Sequence, residues 1–179
     1  TNDRRQRQMC IRDSRNTIYK NYKANRGDPP EDLIPQFELI RKAVDAFSVS
    51  RLEMPGYEAD DLIATYSKFF TKISWDISII SSDKDLMQLV GDKVHMLDPI
   101  KNKLIKKKEV IEKFGVPPEK VIDVQSLAGD SIDNIPGAPG IGLKTGALLV
   151  KEYGGLDSLL LNYSKIKQNK RRESIEKNL

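Results

Sequence analysis

Apolar residues recur every three or four positions over 31–47, where Leu33, Phe37, Ile40, Val44 and Phe47 share one helical face. Asp28-Pro29-Pro30 breaks the chain ahead of this stretch, and proline is tolerated in a helix's first turn. The pattern then predicts a short strand over 48–54, closed by Pro55-Gly56. A second amphipathic helix is expected over 57–71, carrying Leu62, Ile63, Tyr66, Phe69 and Phe70. The apolar run 75–81 reads as a buried strand, 85–90 as a short helix and 94–97 as another strand. Helix and strand alternate to this point, which predicts α/β with a mostly parallel sheet. From residue 108 strands are no longer expected. Helices are predicted over 108–114, 118–127 and 144–153, the last stopped by Gly154-Gly155, with another beginning at 156–161. The C-terminal third is therefore expected to be a helical subdomain on an α/β core.

Composition narrows the chemistry. The 179 residues include one cysteine, Cys10, and one histidine, His95, so a disulfide framework and a Cys- or His-built metal cluster are excluded. A catalytic metal would have to be held by carboxylates, which select hard cations such as Mg²⁺ or Mn²⁺. No apolar run approaches the roughly 20 residues of a membrane span. The net charge of +4 is unevenly distributed: residues 1–26 carry +6, 27–100 carry −7, 101–163 carry +1 and 164–179 carry +4. An acidic middle between basic ends suits a metal-carrying centre with polyanion-gripping edges, and equally suits chance segregation of solvated faces.

Three acidic clusters fall at element boundaries. Glu58, Asp60 and Asp61 open a helix, where acids also interact well with the helix dipole. Asp83 and Asp85 follow a strand, at the end where open α/β sheets bind ligands, and either could simply cap the next helix. Asp130 and Asp133 lie in a glycine-proline loop, where aspartate is also an ordinary turn former. If these seven carboxylates converge, their repulsion calls for cations, and two divalent ions about 4 Å apart would clamp the oxygens of a phosphodiester.

The run from Pro136 to Thr145 has three readings. As a P-loop it places Leu143 where lysine is required. As a dinucleotide fingerprint it brings Gly146 one residue late. As a helix-hairpin-helix it uses Gly140-Ile141-Gly142 as a tight turn whose glycines let a phosphate approach the backbone, with Lys144 adding charge. A plain helix–helix turn is the ordinary alternative.

Taken in order, these residues resemble the 5′-nuclease family, which includes the 5′→3′ exonuclease domain of bacterial DNA polymerase I and the flap endonucleases. The matching runs are Tyr22-Lys23-Ala24-Asn25-Arg26, Gly56-Tyr57-Glu58-Ala59-Asp60-Asp61, Ser82-Asp83-Lys84-Asp85-Leu86, Gly129-Asp130-Ser131-Ile132-Asp133-Asn134-Ile135-Pro136-Gly137 and Pro139-Gly140-Ile141-Gly142-Leu143-Lys144-Thr145. The resemblance implies a PIN-like α/β nuclease core with a C-terminal helix-hairpin-helix. It implies Mg²⁺- or Mn²⁺-dependent two-metal hydrolysis of DNA near a 5′ end or flap, in replication and repair. It assigns Glu58, Asp60, Asp61, Asp83, Asp85, Asp130 and Asp133 to metal binding, some through water. Lys23 and Arg26 match basic residues that contact the scissile phosphate. Gly140, Ile141, Gly142, Lys144 and Thr145 match the duplex-gripping hairpin, which in relatives also holds K⁺. The implied setting is the bacterial cytoplasm at the nucleoid, with a polymerase domain in the same parent chain and no membrane partner.

The family's first strands, each bringing a metal-binding aspartate, have no counterpart here. Residues 1–15 are therefore expected to be a lead foreign to the fold, 16–107 an incomplete nuclease core and 108–179 a truncated helical subdomain. The chain alone is expected to fold poorly or be inactive. Two other functions fit the residues: a non-catalytic DNA-binding module, and a nucleotide-binding protein using 137–145.

Overall fold

The computed structural model describes residues 15–178 and divides them into two compact units. The first comprises residues 15–62 with 132–134, and the second residues 63–131 with 135–178.

The first unit contains α1 (Gln36–Ala46) and the start of α2 (Ala59–Lys72). α1 has the amphipathic pattern expected of it but buries no residue. Only Tyr22 and Glu58 are buried among this unit's described residues, so a polar pair takes the place of an apolar core. The strand expected over 48–54 is absent. That segment is held instead by charge: Arg51 reaches Glu53 at 2.8 Å and Asp45 at 3.3 Å, and Arg41 reaches Glu53 at 2.9 Å. Alternating apolar residues alone could not make a strand without a neighbouring strand to pair with.

The second unit holds a three-stranded sheet in the order β1 (Ile77–Ile80), β2 (Val94–Asp98), β3 (Lys103–Ile105). β1 and β2 are parallel, with Ile77 opposite Val94 and Ile80 opposite Leu97. β2 and β3 are antiparallel, so the sheet is mixed. β3 was not expected: Lys103-Leu104-Ile105, followed by three lysines, is too short to show usable alternation. A 3₁₀ turn, Asp85–Leu89, stands where a short helix was predicted. Five α-helices follow the sheet among the described residues: α3 (Lys107–Phe114), α4 (Val121–Ala128), α5 (Leu143–Tyr153), α6 (Leu156–Leu161) and α7 (Asn169–Glu176).

One apolar cluster joins these elements. It runs from Ile79 and Met96 in the sheet through Val110 and Phe114 of α3, Val124 and Leu127 of α4 and Leu149 and Val150 of α5 to Ile175 of α7. Sheet and C-terminal helices therefore share a core. α4 and α5 approach closely because position 146 is glycine; a Cβ there would lie 3.3 Å from the Val124 carbonyl oxygen. The α/β core with an all-helical C-terminal part is as expected. Residues 1–14 lie outside the described residues.

Candidate functional site

In the first unit, Glu58 immediately precedes α2, and its buried carboxylate is surrounded by donors. The Tyr22 hydroxyl donates to both carboxylate oxygens at 3.1 Å. The Lys23 ammonium donates to the same oxygens at 2.9 and 3.1 Å. Asp61 receives both guanidinium nitrogens of Arg15, at 3.0 and 2.8 Å, and accepts the Glu58 backbone N–H at 2.9 Å. Asp61 lies in the first turn of α2, where acids also interact well with the helix dipole, and its bond to the Glu58 N–H closes that turn. Asp133 pairs with Arg26 and lies 3.8 Å from the Lys23 ammonium. The backbone fixes this grouping, since Lys23 N–H donates to the Asp133 carbonyl and the Asn134 side chain to the Asn21 carbonyl.

These pairs set the protonation states. The Arg15 hydrogen bond holds the Asp61 carboxyl below its ordinary range, against a smaller opposing effect of burial. Burial pushes the Tyr22 hydroxyl upward. For Lys23, burial disfavours the charge, but the Tyr22 and Glu58 bonds outweigh it and the ammonium is stabilised overall.

In the second unit, Asp83 and Asp85 stand in the loop after β1, at its carboxyl end. Asp83 accepts the Asp85 backbone N–H at 2.9 Å and so opens the 3₁₀ turn. The Lys84 ammonium lies between Asp85, at 3.1 Å, and Asp130, with which it also forms an ion pair. The Gln125 amide on α4 donates to the same Asp85 oxygen. Asp130 is fixed by paired backbone hydrogen bonds with Ile135, at 2.8 and 2.7 Å. Gly129 permits this turn: its φ is +72°, and a Cβ there would lie 2.3 Å from the Gly137 nitrogen. Burial disfavours the charge on Lys84, yet its bonds to Asp130 and Asp85 hold the ammonium above its usual range.

The donor chemistry suits a hard cation, since every candidate ligand is a carboxylate and Asp85 and Asp130 already draw one positive charge between them. Among the described residues, no three His, Cys, Asp or Glu side chains are grouped as a metal-holding set. Sequence reasoning passed over four residues that organise these acids: Arg15, Tyr22, Lys84 and Gln125. Lys84 was the most accessible of them, because it sits between the two aspartates of its motif.

The 129–142 segment joins α4 to α5. It is longer than a tight turn and contains the Asp130–Ile135 bridge. Gly140 has φ +78°, whereas Gly142 has φ −92° and an extended backbone that any residue adopts. Backbone shape therefore calls for glycine at 140 and not at 142. Ile141 is buried and anchors the loop. Gly142 and Lys144 are exposed and Thr145 half-buried at the start of α5, so N–H groups of its first turn and the Lys144 ammonium share one end. No strand precedes this loop, as a P-loop would require.

Two family models match consecutive stretches: "5'-3' exonuclease, N-terminal resolvase-like domain" over residues 3–115 and "5'-3' exonuclease, C-terminal SAM fold" over residues 116–179. DNA polymerase I of Rhizobium leguminosarum is 57% identical over 165 residues, which is 92% of this chain and 16% of that protein. The 5'-3' exonuclease of Aquifex aeolicus is 39% identical over 154 residues, 86% of this chain and 53% of that protein. The chain thus spans about a sixth to a half of the length of these relatives. Among solved structures, the T5 D15 protein co-crystallised with metal ions matches with a TM-score of 0.81 at 24% identity, covering 92% of this chain and 66% of that one. The catalytic core of Rad2 in complex with DNA substrate matches at 0.55 and 20% identity, covering 93% and 54%. These structural likenesses speak for the fold.

Proposed function

The chain belongs to the 5'-3' exonuclease family, and from that premise we propose that it carries the metal- and DNA-holding residues of a nuclease that hydrolyses DNA phosphodiesters near a 5′ end or flap. The observation that carries the reading is the meeting of Asp85 and Asp130 on one cation, from the loop after β1 and the loop after α4. Aspartates from separate elements crowd together only where positive charge is expected. The ligands on this reading are Glu58, Asp60, Asp61 and Asp133 in one unit and Asp83, Asp85 and Asp130 in the other.

Divalent ions, Mg²⁺ or Mn²⁺, would neutralise the negative charge that develops on the phosphoryl oxygens during hydrolysis. The protein's own groups position the substrate. Lys23, set by Tyr22 and Glu58, and Arg26, set by Asp133, present positive charge to the scissile phosphate. The loop at Gly140-Ile141-Gly142 and the exposed Lys144 take the duplex backbone, reading no sequence. K⁺ at this hairpin is part of the same reading. It extends to a cytoplasmic, nucleoid-associated protein whose chain also carries a polymerase domain, supported by the similarity to a DNA polymerase I.

The test uses the full-length gene product with a 5′-labelled flap duplex. Mg²⁺-dependent release of short 5′ products, abolished by chelation, is expected. Duplex binding without release in either Mg²⁺ or Mn²⁺ would favour a non-catalytic DNA-binding module instead.

A further inference from the structure

Lys84 bridges two acids whose positions other groups also help to set. Asp85 is fixed on three sides: its backbone N–H is taken by Asp83, its carboxylate by Gln125, and it opens the 3₁₀ turn. Asp130 is fixed by its two backbone bonds to Ile135. Lys84 reaches both acids through a flexible four-carbon stem that is partly open to solvent, at 30% side-chain exposure. One ammonium therefore bridges two carboxylates from separate elements, where one acid would satisfy it as an ion pair.

We propose that Lys84 is a built-in counter-ion occupying the position between Asp85 and Asp130, and that a divalent cation binds there only by displacing it. The proposal rests on reading Asp85 and Asp130 as metal ligands. The physical case is an exchange of charge. Without any cation, the two carboxylates repel across a short distance, and folding of the 129–137 turn against the loop after β1 would have to overcome that repulsion. Lys84 cancels it while no metal is bound. A divalent ion brings twice the charge and binds carboxylate oxygens directly, so the lysine becomes redundant and its positive charge opposes the incoming ion. When Lys84 leaves, the Asp85 carboxylate keeps its Gln125 bond and Asp130 keeps its backbone bonds to Ile135. The lysine thus weakens metal binding and stabilises the metal-free fold.

The two effects have opposite signs and so can be separated. Ca²⁺ binding by calorimetry and thermal melting are measured for the full-length gene product and for its Lys84→Met, Lys84→Arg and Asp130→Asn variants. Lys84→Met should melt lower than wild type without metal and bind Ca²⁺ roughly tenfold more tightly, since removing a competing charge of this kind is worth on the order of one pKa unit. Saturating Ca²⁺ should restore its melting temperature. Lys84→Arg should resemble wild type in both readouts. Lys84→Gln, which keeps two N–H donors but no charge, serves if Lys84→Met does not fold, with the same expected tightening. A lysine that is merely structural would lower the melting temperature and leave Ca²⁺ affinity unchanged, which would overturn the proposal. Weaker Ca²⁺ binding in Lys84→Met alongside weaker binding in Asp130→Asn would also overturn it, while leaving the ligand reading intact. Ca²⁺ binding that Asp130→Asn does not affect, or no binding by wild type, would remove the ligand reading itself and the proposal with it.

Discussion

Lys23 and Glu58 form an ion pair at 2.9 Å whose side chains are 14% and 10% exposed. Glu58 is thereby a buried anion whose charge is balanced by Lys23 and hydrogen-bonded by Tyr22. Losing Lys23 leaves the Glu58 carboxylate to the Tyr22 hydroxyl and the more distant Arg15 guanidinium, at 3.8 Å. Lys23→Met should destabilise the fold by about 1–3 kcal/mol, the usual cost of leaving a buried polar partner unsatisfied. Adding Glu58→Gln should recover part of that loss, because the stranded charge is gone. Denaturant melts of the two single variants and the double variant give the coupling; additive losses would mean the pair contributes nothing beyond its parts.

Gly129 and Gly137 let the loop that bears Asp130 fold back on the end of α4. A Cβ at either position would lie 2.3 Å from backbone atoms of the other segment. Gly129→Ala should cost on the order of 3 kcal/mol, from steric overlap added to an unfavourable positive φ. Gly27→Ala, with open space and no positive φ, should be close to neutral in the same thermal melt.

At the α5 end, stability and binding should part company. Gly140→Val should lower stability by about 1–2 kcal/mol, because φ is +78° there. Gly142→Val should leave the melting temperature unchanged and weaken duplex binding, since it only narrows the approach of a phosphate. Lys144→Ala should weaken binding about equally on unrelated sequences and flatten the plot of log K against log salt by about one unit. Duplex titrations in Ca²⁺ over a salt series check all three; unchanged affinity for both Gly142→Val and Lys144→Ala would leave the loop an ordinary connection.

Asp98 ends β2 buried, and its carboxylate accepts the Ser82 hydroxyl at 2.7 Å and the backbone N–H groups of Ile100 and Lys101 at 3.0 and 3.1 Å. The Ser82 bond first, then the backbone N–H groups, hold its carboxyl below the usual aspartate value of 3.8. A depressed carboxyl adds stability above that value and loses it as pH falls through the folded one. Melting temperature against pH should therefore drop on the acid side below about pH 4, the ordinary carboxylate range. Asp98→Asn should melt lower at neutral pH and lose part of this acid drop; an unchanged acid limb would contradict the assignment.

The long, strongly patterned elements were legible because their signals are local. α2, α3, α5 and the strands β1 and β2 lie within a few residues of where periodicity and stop signals put them. The 48–54 segment misled because alternation is a strand signal only where a partner strand exists, and here Arg51 and Arg41 tie it to Asp45 and Glu53 instead. α1 shows the same limit, since an amphipathic pattern does not supply the surface it would bury against. In the candidate site, the acids could be picked out by residue type and motif. Their partners could not: Arg15 reaches Asp61 across 46 positions, and Lys84 reaches Asp130 across the same separation. Such pairings depend on where the chain turns, and for Lys84 and Asp130 it is Gly129 and the Asp130–Ile135 bridge that set the turn.

On the proposed function, the aspartates after β1 serve catalysis through metal. The direct measurement is the single-turnover rate of flap cleavage in Mg²⁺ by the full-length gene product carrying Asp83→Asn or Asp85→Asn, alongside duplex affinity in Ca²⁺. Each change removes a charge at nearly constant volume. The account predicts rates lower by about 10²-fold or more, with duplex affinity within a few-fold of wild type, because transition-state stabilisation is lost and backbone gripping is not. Cleavage near the wild-type rate by both variants would contradict it.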